Sequence, residues 1–184
     1  EKRTSKNFKQ KQIMIYLSIG SNLNSKFGNR FDNVKKAVSL LKNKKIKIKK
    51  ISNFFETPSY PNKKNPKFIN IIIEIEYNLK PEYLLKEIFI VEKKMDRKRN
   101  LKNAPRTCDI DIIDFKGQIL NNKRLNIPHP KAHLRNFVLY PLNDINSNWK
   151  HPITNKKIDF LIKKLNFEKR NEITRMKESV IIDL

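Results

Sequence analysis

The sequence predicts an α+β fold, an α/β sandwich with a ferredoxin-like βαββαβ core and an added C-terminal strand or hairpin and helices. Three observations carry this. Apolar residues recur with period two in some segments and with helical spacing in others. Those segments follow one another in the order β-α-β-β-α-β, which is the split βαβ arrangement. A chain of 184 residues with 38% hydrophobic residues has material for one core and too little for two domains.

"IMIYLSI" (13–19) reads as a buried strand, and "GSN" as a structural turn into a helix over 29–43, where Val34, Ala37, Val38 and Leu41 follow helical spacing. "KIKIKKISNFF" (45–55) alternates Ile46 and Ile48 with lysine, as a half-exposed strand does. "ETPSYPNKKNP" (56–66) has three prolines and no periodicity, so it is a loop long enough to carry function. "KFINIIIEIEY" (67–77) is a strand with Ile71, Ile73, Ile75 and Tyr77 on one face and Glu74 and Glu76 on the other. Pro81 opens a second helix with an apolar stripe of Leu84, Leu85, Ile88, Val91 and Met95, followed by the polar loop 96–104. Then comes the strand in "PRTCDIDI", and antiparallel pairing with helices on one face is expected. Residues 118–142 add a strand or hairpin, a proline-fixed turn and a helix from about 131. Ile158, Leu161, Ile162 and Leu165 mark a further helix. Residues 1–13 read as a disordered basic extension, 14–165 as the single domain and 166–184 as a peripheral tail.

Composition narrows the chemistry. The single cysteine, Cys108, allows no internal disulfide, and a reducing, cytoplasmic setting fits it. No stretch reaches membrane-spanning length. The formal charge is +23, which ordinarily points to phosphorylated partners, but 32 of the 41 basic residues are lysines scattered along the whole chain. The arginines are more informative. Five of nine (Arg97, Arg99, Arg106, Arg124, Arg135) fall in a 39-residue window around the aspartates, and a planar guanidinium suits phosphate oxygens.

Asp109 and Asp111 share one strand face, while Cys108, Ile110 and Ile112 take the other. Aspartate is depleted in strands, so the pair asks for a reason. A face open to water is one, and a site for a hard divalent cation completed by water and phosphate oxygens is the other. His129 and His133 have the i, i+4 spacing of a helical metal site, but Pro130 places His129 ahead of the helix and no third ligand is evident. His129, with Arg124 and Arg135, is instead a candidate donor to phosphate. Phe68 and Phe137 pass as core residues, whereas Asn70, an amide inside a strand, can pair with a flat heterocycle.

"YLSIGSNL", "FFETPSY", "FINIIIEIE", "APRTCDIDIIDF" and "LNIPHPKAHLRNFVLYPL" together resemble 6-hydroxymethyl-7,8-dihydropterin pyrophosphokinase, a folate-pathway family, over about residues 15–152. The resemblance implies pyrophosphate transfer from ATP to the pterin hydroxymethyl group with release of AMP, using two magnesium ions. By residue, it implies metal binding by Asp109 and Asp111, and catalytic roles for Arg97, Arg99 and Arg106. ATP contacts fall to Arg106, Ile112, Arg124, His129 and Arg135. The pterin is sandwiched by Phe68 and Phe137, hydrogen-bonded by Asn70 and flanked by Thr57 and Pro58. The partners implied are pterin and ATP alone, with no nucleic acid or membrane, in a monomer or else a dimer. In one departure, Asn103-Ala104 stands where many members carry Trp-Gly, and the loop is one residue shorter. The competing class is a basic RNA-recognition module without catalysis. It needs a glycine-containing basic-aromatic pattern and exposed rings on its third strand, which "FINIIIEIEY" lacks.

Overall fold

The computed structural model describes residues 14–42, 44, 46–98 and 104–178. The predicted extension 1–13 and Arg99 lie outside the described residues, as does Asn103. The elements run β1 (Ile15–Ser21), α1 (Arg30–Lys42), β2 (Lys47–Ile51), β3 (Phe55–Thr57), β4 (Phe68–Glu76), α2 (Pro81–Lys94) and β5 (Asp109–Phe115). A hairpin of β6 (Leu120–Asn121) and β7 (Asn126–Ile127) follows, then a 3-10 turn (Ala132–Leu134), α3 (Asn136–Ile145), α4 (Ile158–Lys164), α5 (Phe167–Asn171) and β8 (Thr174–Arg175). The sheet order is β5-β1-β4-β3-β8, with β2 also on β4, and every registered pair is antiparallel. This is the ferredoxin-like order, with its second strand divided in two.

The division corrects the single strand expected over 45–55. Ser52 still exchanges bonds with Ile72, but the Asn53 backbone N–H donates to the Asp144 carboxylate at 2.8 Å instead of to β4. Phe54 then turns fully into the core, against the edge of Phe31. The two core helices lie on one sheet face, as expected, and the added C-terminal helices cover the other. On the first face, Ile69, Ile71, Ile73 and Ile75 of β4 meet the predicted stripes of α1 and α2, together with Ile110 and Ile112. On the second, Tyr16, Ile72 and Ile113 meet Val138, Leu139 and Leu142 of α3 and the buried Trp149. The helix expected from about 131 begins at Asn136, because Arg135 is extended (φ −113°, ψ 115°) and separates it from the 3-10 turn.

A β-bulge in β5 serves that second layer. Tyr16 pairs with Asp114 but Leu17 with Ile112, so Ile113 is the inserted residue. Ile113 and Asp114 therefore both reach the α3 side, where Asp114, fully buried, accepts from Trp149 Nε1 at 2.8 Å and from the Gly117 N–H at 2.9 Å. Burial pushes the Asp114 carboxyl above its ordinary value, with these two donors working against the shift.

Beside it, His151 packs edge-on against both Trp149 and His133. Burial, and then His133, pushes its imidazole down to about 4, from an ordinary 6.5. The unfolded chain thus binds a proton over that interval that the native state refuses. Stability falls as pH drops from about 6.5 towards 4. In thermal melting against pH, His151→Gln is expected to flatten that part of the profile; an unchanged slope would remove His151 as its source.

Candidate active site

Strand register builds the site. Gly20 of β1 lies opposite Asp109 on one side and Asn70 on the other, and Asn70 lies opposite Phe55. In the adjoining row, Ser18 lies between Asp111 and Ile72. Residues directly opposite one another face the same way, so the aspartates and Asn70 look out from one sheet face with a glycine between them. Two strand spacings separate Asn70 from Asp109, about 10 Å. The missing Gly20 side chain leaves that interval open: a Cβ there would stand 2.7 Å from Asn70 Oδ1 and 3.5 Å from the Phe68 ring. Gly20 is thus inside the strand, not in the turn read from "GSN". Its signal was a glycine in a strand pattern, which marks close approach of a neighbour or ligand.

Two cavities meet at the aspartates. The larger, about 530 Å³, is lined by Gly20, Thr57, Phe68, Asn70, Arg106 and Phe137, with Tyr60, Pro61, Lys131 and Lys169 at other points of its wall. The smaller, about 180 Å³, is lined by Arg97, Ile112, Arg124 and His129, with apolar Leu85 and Leu125. Asp109 and Asp111 line both. Of the residues predicted for the two subsites, Pro58 alone among the described ones is absent from either wall; it adjoins Thr57 but does not reach the cavity. The expected aromatic-amide residues share the larger space, but the expected phosphate set is divided: Arg124 and His129 line the smaller space, whereas Arg106 and Arg135 line the larger.

Each carboxylate is held by cations. Arg106 reaches Asp109 Oδ2 through Nε at 2.7 Å and through a terminal nitrogen at 2.5 Å, and Arg97 reaches Oδ1 at 2.7 Å. Arg97 also pairs with buried Glu92, whose Oε1 accepts from the Ile110 N–H at 2.9 Å. Burial opposes the Arg97 charge, yet Asp109 and Glu92 hold its pKa above the ordinary value. Arg135 donates to Asp111 Oδ2 at 3.1 Å. Arg106 and Arg135 also lie over the rings of Phe68 and Phe137, at 5.0 and 5.3 Å. One arginine per aromatic therefore links each ring to its own aspartate.

His129 has a donor at each ring nitrogen: the Lys131 backbone N–H lies 3.1 Å from Nδ1 and an Arg135 terminal N–H 3.3 Å from Nε2, with Asp111 3.7 Å from Nε2. Burial lowers its pKa; Asp111 opposes the shift and Arg135 assists it. His133 is not a co-ligand, since it sits in the 3-10 turn and packs on His151.

Asn22, which the sequence reading missed, ties the site together. Its amide donates to Ser59 Oγ at 3.1 Å and to the Pro66 carbonyl at 3.0 Å, and its Oδ1 accepts from the Arg106 N–H at 2.7 Å. One buried side chain thereby joins loop 58–67 to the arginine segment. The second sheet face is covered by α3 and Glu74 is buried beside Tyr16, so β4 offers no open platform of the kind an RNA-recognition module uses. No helix among the described residues is long and apolar enough to cross a membrane.

Comparison with known proteins gives the following. Residues 16–147 match the family described as 7,8-dihydro-6-hydroxymethylpterin-pyrophosphokinase (HPPK). The chain is 36% identical over 142 residues to the 2-amino-4-hydroxy-6-hydroxymethyldihydropteridine pyrophosphokinase of Aquifex aeolicus, covering 77% of this chain and 86% of that protein. It is also 36% identical over 151 residues to folic acid synthesis protein fol1 of Pneumocystis carinii, covering 82% of this chain and 20% of that protein. The crystal structure of Plasmodium falciparum HPPK-DHPS superposes with a TM-score of 0.64 at 16% identity, covering 88% of this chain and 48% of that one. That likeness shows the fold. The chain spans about a fifth of the length of the fungal relative.

Proposed function

Because the chain belongs to the 7,8-dihydro-6-hydroxymethylpterin-pyrophosphokinase family, we propose that it transfers pyrophosphate from ATP to the hydroxymethyl group of 6-hydroxymethyl-7,8-dihydropterin and releases AMP. The observation that carries the reading is the shared pair: Asp109 and Asp111 line both the aromatic-amide cavity and the arginine-histidine cavity. An acceptor in one and a triphosphate in the other would meet at these carboxylates.

Magnesium fits the donor set. The two carboxylates are hard oxygen ligands, 19% and 34% exposed, at the open junction of the cavities. Among the described residues no group of three or more His, Cys, Asp and Glu could hold a metal. Asp109 and Asp111 would hold the ion, with substrate oxygens and water completing the shell, the usual pattern for magnesium. Two ions are the number we propose. When bound, magnesium supplies charge neutralisation on the phosphates and acidifies the attacking hydroxyl.

The remaining work falls to the side chains. Phe68 and Phe137 stack the pterin, and Asn70, whose Nδ2 donates to Thr57 Oγ1 at 3.1 Å, presents its carbonyl oxygen to the heterocycle's donors. Arg106 and Arg135 exchange their carboxylates for phosphate oxygens as the triphosphate arrives, and His129 donates to another. Leu85, Ile112 and Leu125 offer an apolar surface for the nucleobase. Transfer then depends on in-line placement of the hydroxymethyl oxygen against the β-phosphorus, with charge spread over oxygens that face cations. The reading extends to a monomer in a reducing cytoplasm, since one chain supplies every group and the only thiol, Cys108, is buried with its pKa pushed up by burial.

Incubation with magnesium, ATP and 6-hydroxymethyl-7,8-dihydropterin should release AMP only when the pterin is present. Release of ADP, or no nucleotide change on adding pterin, would overturn the assignment.

A further inference from the structure

Residues beyond 165 lie outside the family match, which ends at 147, and the sequence marks them as peripheral. Residues 166–176 are nonetheless tied into the sheet and the larger cavity. β8 extends the sheet, with Arg175 opposite Phe55 and Thr174 opposite Glu56, and the Met176 N–H donates to the Phe54 carbonyl at 2.8 Å. At the other end, α5 is capped by Asn166, whose Oδ1 accepts from the Lys169 N–H at 2.9 Å. The Lys169 carbonyl accepts from Asn136 Nδ2 at 2.7 Å, at the start of α3.

Between these anchors, Glu172 bridges two segments. Its two oxygens accept from the Tyr60 hydroxyl at 2.9 and 2.8 Å, with Lys63 at 3.4 Å and Asn136 Nδ2 at 3.5 Å. Its side chain is 10% exposed, while Tyr60 and Lys63 opposite it are 45% and 46% exposed, so these bonds form at the rim of the cavity. Tyr60 belongs to the loop that leads to Phe68, and Asn136 precedes Phe137. Glu172 therefore joins the two stretches that supply the aromatic residues of the larger cavity. Lys169 lies in the wall of that cavity, where its ammonium donates to the Leu134 carbonyl at 3.1 Å and keeps two further protons for an acceptor.

We infer that residues 166–176 are a working wall of the pterin cavity. Glu172 is a positioning residue that fixes the aromatic slot, and Lys169 donates to an acceptor atom of the bound heterocycle. A slot held at fixed width spares the ligand the cost of ordering the loop, so the effect belongs to acceptor binding and not to the transfer step. This rests on the larger cavity being the pterin subsite.

The test is steady-state kinetics on the full chain, with each substrate varied in turn. Tyr60→Phe and Glu172→Gln are each expected to raise KM for the pterin about fivefold, and Lys169→Met about tenfold. The value of kcat and KM for ATP should stay within about twofold. The Tyr60→Phe/Glu172→Gln double variant should raise pterin KM by less than the product of the two singles, because both weaken the same Tyr60–Glu172 contact. Pterin KM unchanged in Tyr60→Phe and Lys169→Met overturns the inference, as does a fall in kcat with both KM values unaltered. If Glu172→Gln does not fold, the other two variants decide. A wild-type chain without pterin-dependent AMP release would instead be a failure of the functional reading itself.

Discussion

Asp111→Asn and Asp109→Asn each lower pterin-dependent AMP release at least about a thousandfold while leaving the fold intact. Among the described residues the two side chains are the only carboxylates in either cavity wall, and asparagine keeps their volume while removing the charge. Neither substitution opens a hole, because both side chains stand at the junction and not in the core. The loss reaches beyond one ligand, since Asp109 also orients Arg97 and Arg106, and Asp111 orients Arg135. Circular dichroism and melting separate this from unfolding. A rate within tenfold of wild type in both variants would remove the carboxylates from the chemistry.

Gly20→Ala weakens pterin binding about ten- to hundredfold and leaves ATP binding alone. The added methyl would stand 2.7 Å from Asn70 Oδ1, and that amide cannot simply yield, because its nitrogen is held by Thr57. Either Asn70 turns away from the heterocycle or β1 shifts against β4; both spoil the slot. The smaller cavity contains neither residue, so nucleotide affinity measured without pterin is the internal control. A pterin KM within twofold of wild type would show that the close approach at Gly20 does not matter for the acceptor.

Much of this was legible in the chain. Period two at Ile71, Ile73 and Ile75 and helical spacing at Leu84, Ile88 and Val91 reflect a single sided burial that leaves a direct mark on sequence, and both patterns became the first core layer. The aspartate pair was legible for the opposite reason, as two residues a strand disfavours. What escaped depends on tertiary partners. Asn53 leaves the sheet because Asp144, 91 positions away, takes its N–H. The placement of Asp114 beside Trp149 needs the bulge at Ile113, which shows in no local pattern. Glu172 and Lys169 read as surface charge until Tyr60 and Asn136 are seen beside them. Gly20 and Asn22, passed over as a turn, are explained only by the neighbours they admit and join.

If the two cavities bring an acceptor oxygen to the β-phosphorus of ATP across Asp109 and Asp111, the fate of each phosphorus is fixed. ATP labelled separately at its α-, β- and γ-phosphorus should then deliver β- and γ-label together to the pterin and α-label to AMP. Transfer of γ-label alone, with α- and β-label recovered in ADP, would contradict that arrangement.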